Sequence, residues 1–295
     1  VQVILAGGSG FLGRALHHSL ERDGHHVRIL TRRARHPQHI AWQPDGTVGP
    51  WAEALARADL LVNLAGANLA GGRWTAARRR LLRDSRVLAT RSLVRALHAI
   101  SPRPRAFLSA SAVGYYGDTG DTPITESSPP GSGFLASLCV EWEREAADAA
   151  ALTRVVRLRS GVVLHPSGGA LRTMLLPFRL GLGGRLGSGR QYFSWIHLDD
   201  WIALVRWLAD TEQASGAFNL TAPHPVTNAE FTRALARTLR RPAVLAVPAV
   251  ALRAALGDLA STLLTGQRVL PDRALSMGFR FRFPDIDSAL QDLLR

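Results

Sequence analysis

Three glycines near the start of the chain carry the first readable chemistry. Gly7, Gly10 and Gly13 lie in "LAGGSGFLG", Leu5 to Gly13, directly after the apolar "VQVI". The spacing is G-x-x-G-x-x-G, with Gly8 adding an adjacent glycine. A strand, a glycine turn and a helix in that order form a cradle for a pyrophosphate. The first glycine permits the turn, the second lets the backbone approach the phosphates, and the third lets helix pack on strand. The helix N-terminus adds free amides and the positive end of a dipole. Binders of NAD place an acidic residue about 20 positions on, against the ribose hydroxyls. Here no Asp or Glu occurs between Asp23 and Asp45, and the expected place reads Thr31-Arg32-Arg33. A carboxylate would repel a 2′-phosphate, whereas guanidinium groups pair with it. The expected cofactor is therefore NADP(H).

The surrounding pattern supplies elements to position these residues. "VQVILAGG" reads as a buried strand and the stretch from Phe11 to Arg22 as a helix. "HHVRILTRR", "HIAWQP", "ADLLVNLAG", "RAFLSASAVG" and "TRVVRLRSGVVL" read as further strands. An arginine-rich helix is expected from about Thr75 to Ile100, with Leu81, Leu82, Val87, Leu88, Leu93, Val94 and Leu97 at helical spacing. "FLASLCVEWEREAADAA" reads as another helix, "WIHLDDWIALVRWLAD" as a short strand and helix, and "GAFNLTAP" as a last strand. Strands alternating with helices predict an α/β fold of Rossmann type, a doubly wound parallel sheet. The alternation weakens after His165, where a glycine-rich segment runs from Ser167 to Gly189. The expected division is a Rossmann domain over 1–222, with 166–194 contributing to a substrate cleft, and a smaller, mostly helical C-terminal lobe over 223–295.

Composition narrows the partners. The net charge is +13 and all 36 basic residues are arginine, spread along the whole chain. This reads as a solvated surface, so no nucleic acid is expected. No apolar run approaches the roughly 18–20 residues of a membrane span. The single cysteine, Cys139, excludes an internal disulfide and fits a reducing compartment. Without a basic leader at its start, the chain is expected in the cytoplasm. His17, His18, His25, His26, His36 and His39 crowd the N-terminal part, but no acid or cysteine stands at metal-ligand spacing, so no metal is expected. "RWTAARRRLLRDSR" reads as a solvated arginine face that helps hold an anionic cofactor or substrate.

Taken together, "GGSGFLG", "NLAG" at Asn63–Gly66, "SASAVGYYGD" at Ser109–Asp118 and "IHLDD" at Ile196–Asp200 resemble the extended and atypical short-chain dehydrogenase/reductases. "GFLASLCVEWE" and the ending "GQRVLPDRALSMGFRFRFP" are similar to an epimerase/dehydratase-like subgroup, the epimerase family proteins, with a small C-terminal domain of unknown function. The resemblance implies that Gly7, Gly10 and Gly13 hold the pyrophosphate and that Ser9, Phe11 and Leu12 add contacts. It implies that Arg32 and Arg33 face the 2′-phosphate, that Leu64, Ala65 and Gly66 line the cofactor, and that Ser109 and Ser111 stand where the family has its catalytic Ser/Thr. Arg86 lies where many relatives carry a helix asparagine.

The chain departs from the wider superfamily at the Tyr-x-x-x-Lys pair, because it contains no lysine. Phe134 or Leu135 takes the tyrosine place and Leu138 or Cys139 the lysine place. Ser111 and Tyr116 become the candidate catalytic residues, with Tyr115, Asp118, Glu126 and His197 nearby in role. An arginine such as Arg86 or Arg159 is expected to lower the pKa of such a phenol. Asp199 and Asp200 read as the first-turn acids of a helix. Two functions follow: an NADP(H)-dependent oxidoreductase or epimerase-like enzyme with an unconventional proton donor, or an NADP(H)-sensing regulator without catalysis. Arg172, Arg179, Arg185 and Arg190 in the glycine-rich segment favour an anionic or nucleotide-linked substrate, or belong to a mobile loop. A homodimer stays open, since relatives of this fold commonly dimerise through helices.

Overall fold

Val3, Ile4, Leu5 and Ala6 are each no more than 3% exposed, which is how a strand covered on both faces must read. They belong to β1 (Gln2–Ala6), an inner strand of a seven-stranded parallel sheet in a computed structural model that describes residues 1–295. On one side lie β2 (His26–Thr31) and β3 (His39–Ala41). On the other lie β4 (Leu60–Asn63), β5 (Ala106–Ala112), then β7 (Arg154–Ser160) and β12 (Gly216–Leu220). The spatial order is β12-β7-β5-β4-β1-β2-β3. The strand sequence thus reverses direction between β1 and β4, and the crevice at that switch point is where such sheets bind ligands. The expected Rossmann-type fold is observed.

Helices α1 (Phe11–Arg22) and α5 (Leu198–Asp210) cover one face, over a core that includes Leu5, Leu16, Trp201 and Phe218. Helices α2 (Ala76–Ala99) and α3 (Phe134–Ala147) cover the other with a short 3-10 helix, Pro50–Arg57. Of the seven apolar positions expected to face inward from α2, Leu82, Val87, Leu93, Val94 and Leu97 are buried, while Leu81 is half exposed. Thr75 caps α2 by accepting a hydrogen bond from the Arg78 amide.

A third core belongs to the lobe. It joins α4 (Gly169–Arg179), α6 (Asn228–Leu239) and α10 (Ile286–Leu293) through Leu171, Phe178, Phe231, Leu235 and Leu290. The glycine-rich segment is therefore helix α4 followed by strand β9 (Gly184–Leu186), which pairs with β14 (Leu245–Val247). "TRVVRLRSGVVL" is two strands rather than one. After Ser160 the chain leaves the sheet, and β8 (Val162–Leu164) pairs with β11 (Trp195–His197) instead. Two further pairs complete the topology: β10 (Tyr192–Phe193) with β13 (Val226–Thr227), and β6 (Pro123–Ile124) with β15 (Arg268–Val269). Short helices α7 (Ala249–Leu256) and α8 (Ser261–Leu264) precede β15. The tail then returns to the main sheet, where α9 (Asp272–Ser276) lies against β12, and Ala274 and Phe279 join the main core. No helix is long and apolar enough to cross a membrane.

Candidate functional site

The glycine turn is built as a close crossing of β1, α1 and the end of β4. Gly7 has φ +81°, and a Cβ on it would stand 2.6 Å from the Leu64 carbonyl carbon and oxygen. A Cβ on Gly13 would stand 2.2 Å from the Gly7 oxygen, so only glycine lets α1 lie this close to the turn. The turn is closed by the Gly10 amide donating to the Gly7 oxygen at 3.0 Å. Helix α1 has Gly10 as N-cap, no side-chain cap and no acid in its first turn. Its leading amides are left for an anion, and Ser9 and Gly10 beside them are exposed. Phe11 lies against Gly168 and Gly169 at the start of α4, and Leu12 packs on the main core.

At the end of β2, Thr31 is half-buried and its hydroxyl accepts from the Arg33 amide at 3.3 Å. Arg32 and Arg33 are both exposed and neither pairs with a carboxylate. The β4 turn is fixed from beneath. Asn63 donates to Thr90 and accepts from the Ala65 amide at 3.1 Å, leaving Leu64 and Ala65 half-buried and Gly66 exposed. Arg86 reaches up from α2 to the Ala67 carbonyl at 3.0 Å, and its guanidinium carbon lies 3.1 Å from where a Gly66 Cβ would be. Burial lowers the Arg86 pKa. These features fit a dinucleotide: open amides at the turn, a small-residue wall at β4, and unpaired cations with no acid at β2.

The strand end of β5 is different in character. Ser109 is 1% exposed and its hydroxyl has no partner. The register of β5 on β7 sets Ser111 beside Arg159. Ser111 donates to Glu143 of α3 at 2.7 Å, and Arg159 grips the same carboxylate with Nε at 2.7 Å and Nη2 at 2.9 Å. Arg159 Nη1 donates to the Tyr116 hydroxyl at 2.8 Å, and that hydroxyl donates to Asn219 Oδ1 of β12 at 2.7 Å. The Tyr115 ring lies 3.6 Å from the Arg159 guanidinium. The expectation of an acidified phenol is corrected here. Burial outweighs the adjacent Arg159 and pushes the Tyr116 hydroxyl up to about 12, and Arg86 serves the β4 turn instead. Tyr116 is a neutral phenol whose hydroxyl is occupied on both sides.

On α3, Leu138 and Cys139 are buried and Phe134 and Leu135 half-buried. Burial also pushes the Cys139 thiol up to about 12, so it stays protonated as a core residue. His197 caps α5 by accepting from the Asp199 amide, and Asp200 accepts from the Arg282 and Phe283 amides, fastening the tail to the helix start. Three arginines of α2 are tied down by carboxylates: Arg83 pairs with Glu141, Arg91 with Glu145 and Arg79 with Asp258 beyond α7. Arg172, Arg179, Arg185 and Arg190 all lie exposed on or beside the lobe. Glu143 and Asn219 were not singled out from sequence. Glu143 sits four residues after buried Cys139, a spacing that puts an acid on an apolar helix face, and this was the available signal.

A sequence model described as the NAD dependent epimerase/dehydratase family matches residues 3–221. The chain belongs to that family. A second model, a domain of unknown function, matches residues 247–293. An epimerase family protein of Mycobacterium tuberculosis is 45% identical over 294 residues, covering 98% of this chain and 96% of the relative. Epimerase family protein SDR39U1 of Bos taurus is 40% identical over 299 residues, covering both chains fully. The crystal structure of human epimerase family protein SDR39U1 (isoform 2) with NADPH superposes with a TM-score of 0.91 at 35% identity, covering 99% of each chain. A nucleoside-diphosphate sugar epimerase from Corynebacterium glutamicum gives 0.83 at 34% identity, covering all of this chain and 58% of that one. Membership makes this an NAD(P)-dependent type of fold and site. The Tyr-x-x-x-Lys pair implied by the resemblance to the wider superfamily is absent, because the chain has no lysine, and α3 supplies apolar groups in its place.

Proposed function

We propose that this protein binds NADP(H), in preference to NAD(H), across the glycine turn, the β2 end and the β4 turn. The observation that carries the reading is the exposed, unpaired Arg32 and Arg33 at the end of β2, where an NAD binder needs a carboxylate. The relative described with NADPH supports the same assignment. In this reading Gly7, Gly10 and Gly13 admit the pyrophosphate, and the Ser9, Phe11 and Leu12 backbone closes on it. Thr31 orients the arginine pair, Leu64, Ala65 and Gly66 line the ribose path, and Arg86 holds that wall in place. Bound there, the nicotinamide supplies hydride chemistry.

The reaction proposed is hydride transfer with a small anionic molecule, as an oxidoreductase or epimerase-like enzyme. Arg73, beside Gly257 at the junction of the β4–α2 loop and the lobe and paired with no carboxylate, supports the substrate class. Ser111 and Ser109 are the polar groups at the β5 end nearest such a reaction, while Tyr116 steadies Arg159. The second reading, an NADP(H) sensor without turnover, is favoured by one observation: Ser111 and Tyr116 already spend their hydroxyl protons on Glu143 and Asn219.

The test is a fluorescence titration with NADPH and NADH on the wild type and Arg32→Ala/Arg33→Ala. Two exposed guanidinium–phosphate contacts at about 1 kcal/mol each predict a loss of roughly 30-fold for NADPH and none for NADH. Equal affinity for both cofactors in the wild type refutes the NADP(H) assignment. Consumption of NADPH against a carbonyl and nucleotide-sugar panel, repeated with Ser111→Ala, then separates enzyme from sensor.

A further inference from the structure

A polar cavity of about 310 Å3 opens on the α3 face of the sheet, at the edge formed by β7 and β12. Strand spacing places it about 14–19 Å across the sheet from the glycine turn on β1. Its size falls at the lower end of the range of small-molecule sites, but its lining does not resemble the usual apolar pocket. Of its nine residues, one is hydrophobic and three are arginines: Arg157, Arg159 and Arg273.

Arg157 is under-committed. It stands opposite Ala217 in the β7–β12 register, with its side chain 29% exposed. Its one side-chain contact is Nη1 to Glu143 Oε2 at 3.4 Å, and that carboxylate is already held by Arg159 and Ser111. Nε and Nη2 of Arg157 meet no protein acceptor. Arg273 comes from the opposite side and uses only Nη1, bonded to the Ser215 and Ala217 carbonyls at 2.8 and 2.7 Å. The two guanidinium groups converge over Gly216, where a Cβ would lie 3.3 Å from Arg273 Nη1 and 3.7 Å from Arg157 Nη2. Two hydroxyls, Thr125 Oγ1 and Ser127 Oγ, are 2.9 Å apart in the same lining.

The acids around the cavity only partly offset this end. Glu143, 4% exposed behind the wall, is a single carboxylate shared between Arg159 and Arg157. Both oxygens of Glu126 are occupied by backbone donors, the Asn219 amide at 2.9 Å and the Arg273 amide at 3.3 Å. Asp272 is exposed on the rim and makes no ion pair with either arginine. What remains open is a pair of guanidinium forks over a residue without a side chain, flanked by hydroxyls. Planar guanidinium forks bind two oxygens at once of a phosphate or carboxylate, and hydroxyls match a sugar or polyol body.

We propose that this cavity is a binding site, separate from the cofactor crevice, for a small phosphorylated polyol, with the phosphate on Arg157 and Arg273 and the hydroxyls on Thr125 and Ser127.

The test is isothermal titration of the full chain, at low ionic strength, with inorganic phosphate and with glucose 6-phosphate. Titrations are repeated on Arg157→Gln and on Ser127→Glu, with NADPH affinity measured alongside. The expected result is one saturable site, tighter for glucose 6-phosphate than for inorganic phosphate. Each substitution should weaken it at least about tenfold, with NADPH affinity unchanged. Ser127 is exposed and its change adds a repelling charge at the cavity without touching the core, so it decides the matter if Arg157→Gln does not fold. Absence of saturable heat with either probe, or binding that both variants retain, overturns the proposal. Binding lost together with NADPH affinity would place the phosphate in the cofactor crevice and overturn it too.

Discussion

Replacing Glu143 with Gln tests whether the buried ionic cluster holds α3 on the sheet. Glu143 and Arg159 are 4% and 3% exposed, and the carboxylate accepts from Ser111, from Arg159 twice and weakly from Arg157. In Glu143→Gln the amide oxygen can still serve Ser111 and Arg159 Nε. The amide nitrogen, however, must face Arg159 Nη2, which donates at 2.9 Å in the wild type. A buried guanidinium is left with no counter-charge, and breaking such a pair from one side costs about 3–5 kcal/mol. With a urea slope of about 2–3 kcal/mol per molar, the midpoint should fall by at least about 1 M. Glu145→Gln is the matched control. It lies on the same helix and pairs with Arg91, but the two side chains are 17% and 33% exposed, which limits the loss to about 1 kcal/mol. Urea unfolding followed by far-ultraviolet circular dichroism reads both. Equal midpoint shifts in the two variants would refute the reasoning, because burial would then have made no difference.

Gly13→Ala puts a methyl 2.2 Å from the Gly7 oxygen; it should destabilise by about 2–3 kcal/mol and abolish NADPH-dependent thermal stabilisation, read in a single melting series. Tyr116 is held protonated up to about 12, so its contribution is intact below pH 10 and is lost as pH rises towards 12. Tyr116→Phe should flatten that alkaline loss in unfolding measurements at pH 9 and 11, while costing about 1–2 kcal/mol at neutral pH through the stranded Asn219 acceptor. Burial keeps the His197 pKa low against the opposing pull of Asp199, Asp200 and Asp292, so its contribution is present above pH 6.5 and lost on acidification. His197→Asn retains a good N-cap and removes the titration; its stability between pH 7 and 5 should fall less than that of the wild type.

The N-terminal half was legible because its signals are local. The apolar run of β1, the glycines after it and the 3.6-residue periodicity of α1 and α2 each sit within a few consecutive residues, and the helix expected over Phe11–Arg22 is observed with those bounds. The lobe was harder to read. Helix α4 carries Pro177 and is followed at once by four glycines up to Gly187, so its apolar face of Leu171, Leu175 and Phe178 was masked. The Ser111–Glu143–Arg159–Tyr116–Asn219 cluster was illegible for a different reason. Its members come from β5, α3, β7, the turn after β5, and β12, and only strand register brings them together. The absent lysine was plain from the sequence, but where the remaining hydroxyls would point was not.

The outer rim of β12 has a consequence for assembly of the chain. Its outward groups include the Ser215 and Ala217 carbonyls, taken by Arg273, and the Asn219 amide, taken by Glu126. A strand from another molecule finds these sites occupied, so the sheet stops growing at this side without the lysines or prolines that often guard an edge. The guard is supplied late. Arg273 lies more than fifty residues after Ala217, so during synthesis the rim stands open until the tail folds back. A chain cut short before α9 would keep most of its hydrophobic core yet expose a sticky border, and aggregation rather than unfolding would be its characteristic failure.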